Sequence, residues 1–223
     1  MIRLSHYQGL AKEVELVYNN SKKHYPKLVS PKIPKLLVVT KEQEIQKILP
    51  LLNHGHINFG ENKVQEASNK WPTLKMSFPN IKLHMIGNLQ TNKVKQAVEL
   101  FDVIESLDRL NLAVALQKEM KAQNKYPELY IQVNIGEEEQ KSGIAPKEAD
   151  EFIKTCRHDL GLKISGIMGI APITTPPFPY FALLREIAIR NNIEQISMGM
   201  SNDFGTAICF GSTQVRIGSL IFT

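Results

Sequence analysis

Eight short apolar runs, each followed by an amphipathic segment, constrain this chain more than any other feature. They fall at residues 35–41, 56–60, 82–86, 102–106, 129–133, 162–168, 195–199 and 213–217. Runs of this length are short for helices and read as strands covered on both faces. The segments between them repeat apolar residues at helical spacing. Examples are Ile45, Ile48 and Leu49, then Val94, Ala97, Val98 and Phe101, then Ala149, Phe152, Ile153 and Cys156. Strands alternating with helices predict a parallel α/β sheet, and eight such units predict closure into a single (β/α)8 TIM-type barrel. An extra N-terminal helix, from residue 3 to about 20, carries Tyr7, Leu10, Val14, Val17 and Tyr18 on one face. The alternative is an open doubly wound sheet. For a dinucleotide it would want G-x-G-x-x-G after its first strand, where this chain has Lys41-Glu42-Gln43. No internal repeat or low-complexity segment interrupts residues 1–223, so one barrel domain is expected.

Composition narrows the classes. An apolar content of 43% suits a sizeable buried core. Two cysteines, Cys156 and Cys209, do not make a disulfide framework and fit a reducing compartment. No segment reads as a signal peptide or a membrane span, so a cytoplasmic protein is expected, with no membrane partner. The net charge is +5, and lysines gather early, at Lys22, Lys23, Lys27, Lys32 and Lys35. They are not interleaved with stacking aromatics, so no nucleic-acid partner is expected. A mildly positive field also suits a small anionic ligand.

In a barrel of this kind chemistry collects where strands end. The first run ends in Lys41. A lysine there can reach solvent, or it can turn its amine over the sheet, where desolvation favours a nucleophilic amine able to form a Schiff base. The last two runs end in Gly199-Met200-Ser201 and Ile217-Gly218-Ser219. Glycine admits an oxyanion close to the backbone, and serine hydroxyls with helix-start N–H groups supply donors. Each turn alone reads equally well as a glycine turn with a serine cap, and a short helix capped by Ser201 or Asn202 is expected after the seventh strand. Together, beside a strand-end lysine, they read as a phosphate site. His84 reads as a core histidine, and no metal site is expected.

Four stretches carry a resemblance. Phe59-Gly60-Glu61-Asn62-Lys63-Val64-Gln65-Glu66 resembles the FGENxVQE signature of the pyridoxal phosphate homeostasis proteins (the YggS/PROSC family). His84 to Lys93, Ser197 to Ser201 and Gly211 to Gly218 resemble the same family, in order along nearly the whole chain. The resemblance implies a barrel similar to the N-terminal domain of alanine racemase, holding pyridoxal 5'-phosphate (PLP) as a Schiff base. Val39-Thr40-Lys41 is similar to the family's V-S-K, which implies Lys41 as the Schiff-base lysine. It also implies Asn62 in the cofactor pocket, Ser201 and Gly218 at the phosphate, and Arg216 opposite the pyridine nitrogen. Three departures stand out. Asn88 follows Gly87 where the family usually has proline. Thr40-Lys41-Glu42-Gln43 replaces S-K-T-K-P. The segment from Pro172 to Arg190 is short and proline-rich.

The implied function is PLP homeostasis: a carrier, not an enzyme, that buffers or delivers the cofactor, with apo-enzymes that use PLP as acceptors. A monomer is expected. An amino-acid racemase is the alternative, and it needs a second acid/base group on the opposite face of the cofactor. In alanine racemase a separate C-terminal domain helps to supply that group, whereas this chain ends just after its eighth strand. A Schiff-base aldolase without PLP is a third reading, but it has no use for two phosphate turns and Arg216.

Overall fold

In the computed structural model, which describes residues 4–222, eight parallel strands close into a barrel in chain order. They are β1 (Lys35–Val39), β2 (Asn58–Glu61), β3 (Lys82–Met85), β4 (Val103–Leu107), β5 (Glu128–Val133), β6 (Ile164–Gly169), β7 (Gln195–Ser197) and β8 (Gln214–Ile217). Closure lies between β1 and β8, in register from Lys35 opposite Gln214 to Val38 opposite Ile217. The (β/α)8 barrel expected from the alternating pattern is therefore the fold.

The α-helices among the described residues are α1 (Leu4–His24), α2 (Ile45–Asn53), α3 (Val64–Ser77), α4 (Val94–Leu100), α5 (Leu110–Gln123), α6 (Ala149–Lys154), α7 (Phe178–Arg190), α8 (Phe204–Cys209) and α9 (Ser219–Phe222). The extra N-terminal helix α1 buries Leu10, Val14, Tyr18 and Ser21. It packs against α8 and α9, and Ser21 Oγ meets Cys209 Sγ at 3.0 Å. Cys156 is fully buried, and burial pushes its thiol up to about 11. It packs as core, as its helical spacing indicates.

Boundaries differ from the apolar pattern where turn chemistry intervenes. The first strand stops at Val39, two residues before Lys41, because the Gln43 N–H donates to the Thr40 carbonyl and Glu42 takes a φ of 61°. The second strand runs on past residue 60, because Glu61 pairs with Met85 of β3, and α3 starts at Val64. Neither Ser201 nor Asn202 caps α8: the cap position is Asp203, whose Oδ1 accepts the Met200 N–H at 2.6 Å.

Two register shifts disturb the barrel. One lies between Ile104 and Leu107 of β4, where three residue steps face two on β5. All five residues of β4 are buried, Glu105 and Ser106 among them, because both faces of the strand are covered. The other shift follows Leu129 of β5. Just beyond it Tyr130 lies opposite Gly166, and a Cβ at Gly166 would come within 2.6 Å of the tyrosine ring.

Gly166→Ala should therefore lower stability by about 1–3 kcal/mol through overpacking. Gly9→Ala, on an open helix face with nothing within 4 Å, should raise it by about 0.5–1 kcal/mol. Thermal midpoints of the two variants moving in opposite directions would confirm both packing assignments.

Candidate functional site

A cleft of about 420 Å³ opens at the C-terminal mouth of the barrel, over the ends of β1, β6, β7 and β8. It brings together Lys41, Ser201, Arg216 and Gly218, four of the five residues singled out in the sequence. Its outer wall is the proline-rich segment, through Pro172, Ile173 and Pro177. The fifth residue, Asn62, does not line this cleft. It follows β2 as Lys41 follows β1, each two residues beyond the paired Gly60 and Val39. The Asn62 Oδ1 is buried and has no hydrogen-bond partner among the described residues.

Two glycine turns form the floor. Gly199 has a φ of 93°, and a Cβ there would sit 2.5 Å from the Ala207 Cβ, so only glycine lets α8 approach β7 this closely. At Gly218 a Cβ would lie 3.0 Å from the Val39 carbonyl oxygen, which pins the end of β8 against the end of β1. The turns are joined by the Arg216 N–H donating to the Gly199 carbonyl at 2.9 Å. The Ser219 hydroxyl donates to Ser201 Oγ, also at 2.9 Å. Two serine oxygens thus stand side by side at the cleft floor.

Arg216 is 4% exposed and points inward from β8. It donates to Ser197 Oγ at 2.8 Å and to the Gly169 carbonyl at 3.0 Å. A guanidinium carries five N–H donors and no acceptor, so N–H groups remain for the cleft. Burial pushes its pKa below the usual arginine value, with Glu105 and Asp203 opposing that shift. The group stays protonated regardless.

The anion that balances it was not recognised in the sequence. Glu105 of β4 is fully buried. Its carboxylate meets His84 Nδ1 at 2.7 Å, and accepts from Gln214 Nε2 at 2.7 Å and from Ser197 Oγ at 2.6 Å. Strand β4 is not a neighbour of β7 or β8 in the closed sheet, so the bonds from Gln214 and Ser197 cross the barrel lumen, while His84 lies on the adjacent β3. The signal lay in the sequence: Val103-Ile104-Glu105-Ser106-Leu107 sets a charge within an apolar strand, and such a charge needs a buried partner. His84, read as a core histidine, is that partner.

A second charged group lies between β2 and α3. Glu61 Oε1 accepts from Thr40 Oγ1 at 2.7 Å and from the Trp71 indole N–H at 3.0 Å. It pairs with Lys70 at 2.8 Å. No cluster of three or more His, Cys, Asp or Glu fit to hold a metal occurs among the described residues. No described helix is long and apolar enough to cross a membrane.

Comparison with known proteins converges on one family. The family profile described as alanine racemase, N-terminal domain, matches residues 19–223. The pyridoxal phosphate homeostasis protein of Aquifex aeolicus is 39% identical over 199 residues, covering 84% of this chain and 86% of that one. Its Escherichia coli counterpart is 34% identical over 202 residues, covering 86% of each. Among solved structures, PipY of Synechococcus elongatus with PLP bound superposes with a TM-score of 0.79 at 28% identity. That match spans 93% of this chain and all of PipY. Alanine racemase of Clostridium difficile shares the fold, with a TM-score of 0.67 at 12% identity over 94% of this chain and 56% of its own.

The lumen carboxylate makes a pH-dependent contribution to stability. Burial raises the pKa of Glu105, but the hydrogen bond and charge of His84, the charge of Arg216 and the Ser197 hydroxyl outweigh it. The net result lies below the ordinary 4.5. A carboxyl whose folded pKa is depressed contributes stability that is complete above the unfolded value and is lost as pH falls through the folded one. Glu105→Gln should cost about 3–5 kcal/mol at neutral pH by leaving Arg216 without its buried counter-charge. It should also flatten the decline of urea midpoint below about pH 5. Parallel pH profiles for variant and parent would contradict this assignment.

Proposed function

The chain belongs to the family of pyridoxal phosphate homeostasis proteins, and from that premise we propose that it binds PLP in the mouth cleft and buffers or delivers it in the cytoplasm. The observation that carries this reading is the convergence, in one cleft, of a primary amine, two glycine–serine turns and a buried arginine. The free state of both cysteines fits the proposed compartment.

The donor set fits the cofactor. Ser201, Ser219 and Gly218 line the cleft at the ends of β7 and β8, a set of hydroxyls and strand-end backbone suited to cradle a phosphate. Lys41 lies across the cleft, and its amine has no hydrogen-bond or ion-pair partner among the described residues. That amine would hold the cofactor. When bound, PLP supplies an aldehyde that condenses with a primary amine. The buried Asn62 Oδ1 is available as a hydrogen-bond acceptor beside the β1 end. On this reading the whole barrel serves as one cofactor-binding unit, and apo-enzymes that use PLP are the acceptors.

A carrier role is favoured over racemisation by the ionisable groups of the cleft. Its described lining contains three, Lys41, Asp203 and Arg216. Racemisation needs acid/base groups on two faces of the substrate carbon. Arg216 is protonated and donates only, so whatever lies against it is kept in acceptor form. Asp203 is turned into its own loop, where it holds the Met200 N–H. Lys41 alone is left to move a proton.

Three measurements test the proposal. Purified protein mixed with PLP should gain a visible absorption band, and borohydride should fix a pyridoxyl group on Lys41 by peptide mapping. Lys41→Ala should lose both, and labelling of another lysine would refute the assignment. Pyridoxal without phosphate should bind at least about 10²-fold more weakly, since two or three charge-assisted hydrogen bonds contribute about 1.5–3 kcal/mol each. Holoprotein incubated with L-amino acids in deuterated water should show no steady Cα–H exchange, and multiple turnover would identify an enzyme.

A further inference from the structure

Two glutamates of the Phe59–Glu66 stretch, Glu61 and Glu66, take no part in the cleft. They belong instead to the charged group between β2 and α3, centred on Lys70, which is 7% exposed. The Lys70 amine is spread over four oxygens. Two are carboxylate, Glu66 Oε1 at 2.7 Å and Glu61 Oε1 at 2.8 Å. Two are backbone, the carbonyls of Thr40 at 2.8 Å and Gln43 at 3.3 Å. The same Glu66 Oε1 accepts the backbone N–H of Glu42 at 2.6 Å.

These contacts bracket one residue. The Thr40 carbonyl belongs to the peptide unit before Lys41, and the Glu42 N–H belongs to the unit after it. Lys70 holds the first and Glu66 holds the second, and the two are ion-paired to each other. Thr40 is held further by its N–H on the Gly60 carbonyl at 2.9 Å and its hydroxyl on Glu61. Both peptide planes that set the backbone dihedrals of Lys41 are thereby fixed. Glu42 meanwhile keeps a left-handed φ that a non-glycine residue adopts only when its surroundings impose it.

We infer that Glu66, acting with Lys70 and Glu61, is a positioning residue for Lys41: an ionic clamp behind the strand ends that holds the peptide units on both sides of this lysine and aims its amine into the cleft. The inference rests on the reading of Lys41 as the lysine that captures PLP. A buried ion pair adds little net stability compared with apolar packing, so a purely structural role does not account for three charges at this turn. Capture requires the amine nitrogen to bond to the aldehyde carbon while the carbonyl oxygen leaves as water. Its rate depends on presenting that nitrogen in a narrow range of positions. A displacement of about 1 Å is enough to cost on the order of 100-fold.

The test compares the parent with Glu66→Ala and Glu66→Gln, using two probes. PLP reports capture by Lys41, followed as the rate of appearance of the visible band and as borohydride-fixed adduct mapped to that residue. Pyridoxine 5'-phosphate keeps the ring and phosphate but has an alcohol in place of the aldehyde, so it reports the cradle without the amine. Glu66→Ala should slow capture at Lys41 by about 10–100-fold and leave pyridoxine phosphate affinity unchanged. Glu66→Gln keeps an oxygen acceptor for the Glu42 N–H and should recover most of the rate. Capture by Glu66→Ala at the parent rate would overturn the inference. So would equal losses with both probes and no recovery in Glu66→Gln, which would mark the clamp as structural only. If the parent itself is labelled at a lysine other than Lys41, the proposed cofactor site fails first and the clamp fails with it.

Discussion

The Glu105 carboxylate is the interaction on which the rest of the site depends. The lumen of a (β/α)8 barrel is ordinarily filled by layers of branched apolar side chains. Here one layer is replaced by an anion on β4 that gathers groups from β3, β7 and β8. Isolated, a buried carboxylate costs several kcal/mol, and it is tolerated because donors surround it. Its presence fixes Ser197, which accepts from Arg216. The guanidinium at the cleft is thus oriented from the far side of the barrel. The register shift in β4 falls at the same place, between Ile104 and Leu107, and the β4–β5 pairing resumes with Leu107 opposite Ile131.

A second charged assembly lies between β2 and α3, around Lys70. The two never touch, yet they act on adjacent strands: one steadies Arg216 on β8, the other steadies the turn after β1. The β1–β8 pairing brings their effects to a single cleft. Between them lies Lys41, exposed where the other cations of the site are buried. On the proposed reading of Lys41 as the capturing lysine, a fixed backbone and a free side chain suit a group that must react. Ordering the turn in advance removes an entropy cost from the reaction, while an unpaired amine has no salt bridge to break.

The barrel was legible because its signal is repetitive. Eight near-continuous apolar runs and intervening helices at period 3.6 reinforce one another, and a boundary error of two residues does not change the topology. The glycine–serine turns were legible for a different reason: two of them end successive strands beside a strand-end lysine, and both Gly199 and Gly218 are positions where other backbone or side-chain atoms approach closely. What was not legible depends on pairing across distance. Nothing local in Val103–Leu107 says that Glu105 meets Gln214, 109 residues away. Nothing in the helical pattern of α3 separates Lys70 from a solvated lysine. The cap of α8 was misplaced by one or two residues because Ser201 and Asn202 are strong cap formers in isolation. Here Ser201 instead pairs with Ser219, and Asp203 closes the turn.

The distribution of order suits holding more than turnover. The cradle is rigid: its glycines admit no side chain, its serines bond each other, and its arginine is anchored at two points inside the barrel. A rigid, cationic, donor-rich pocket binds an anion with little reorganisation. A catalyst for proton transfer would need, in addition, a second titratable group free to approach the substrate carbon. Asp203, the one carboxylate in the described lining of the cleft, is committed to the Met200 N–H. The lysine that would make the covalent link stands at the cleft's open side, where water can reach it. A bond to an amine formed with loss of water is reversed by water, so an accessible linkage favours release. On the proposed reading, affinity comes from the cradle and reversibility from the exposure of Lys41, and a buffer of a reactive aldehyde needs both.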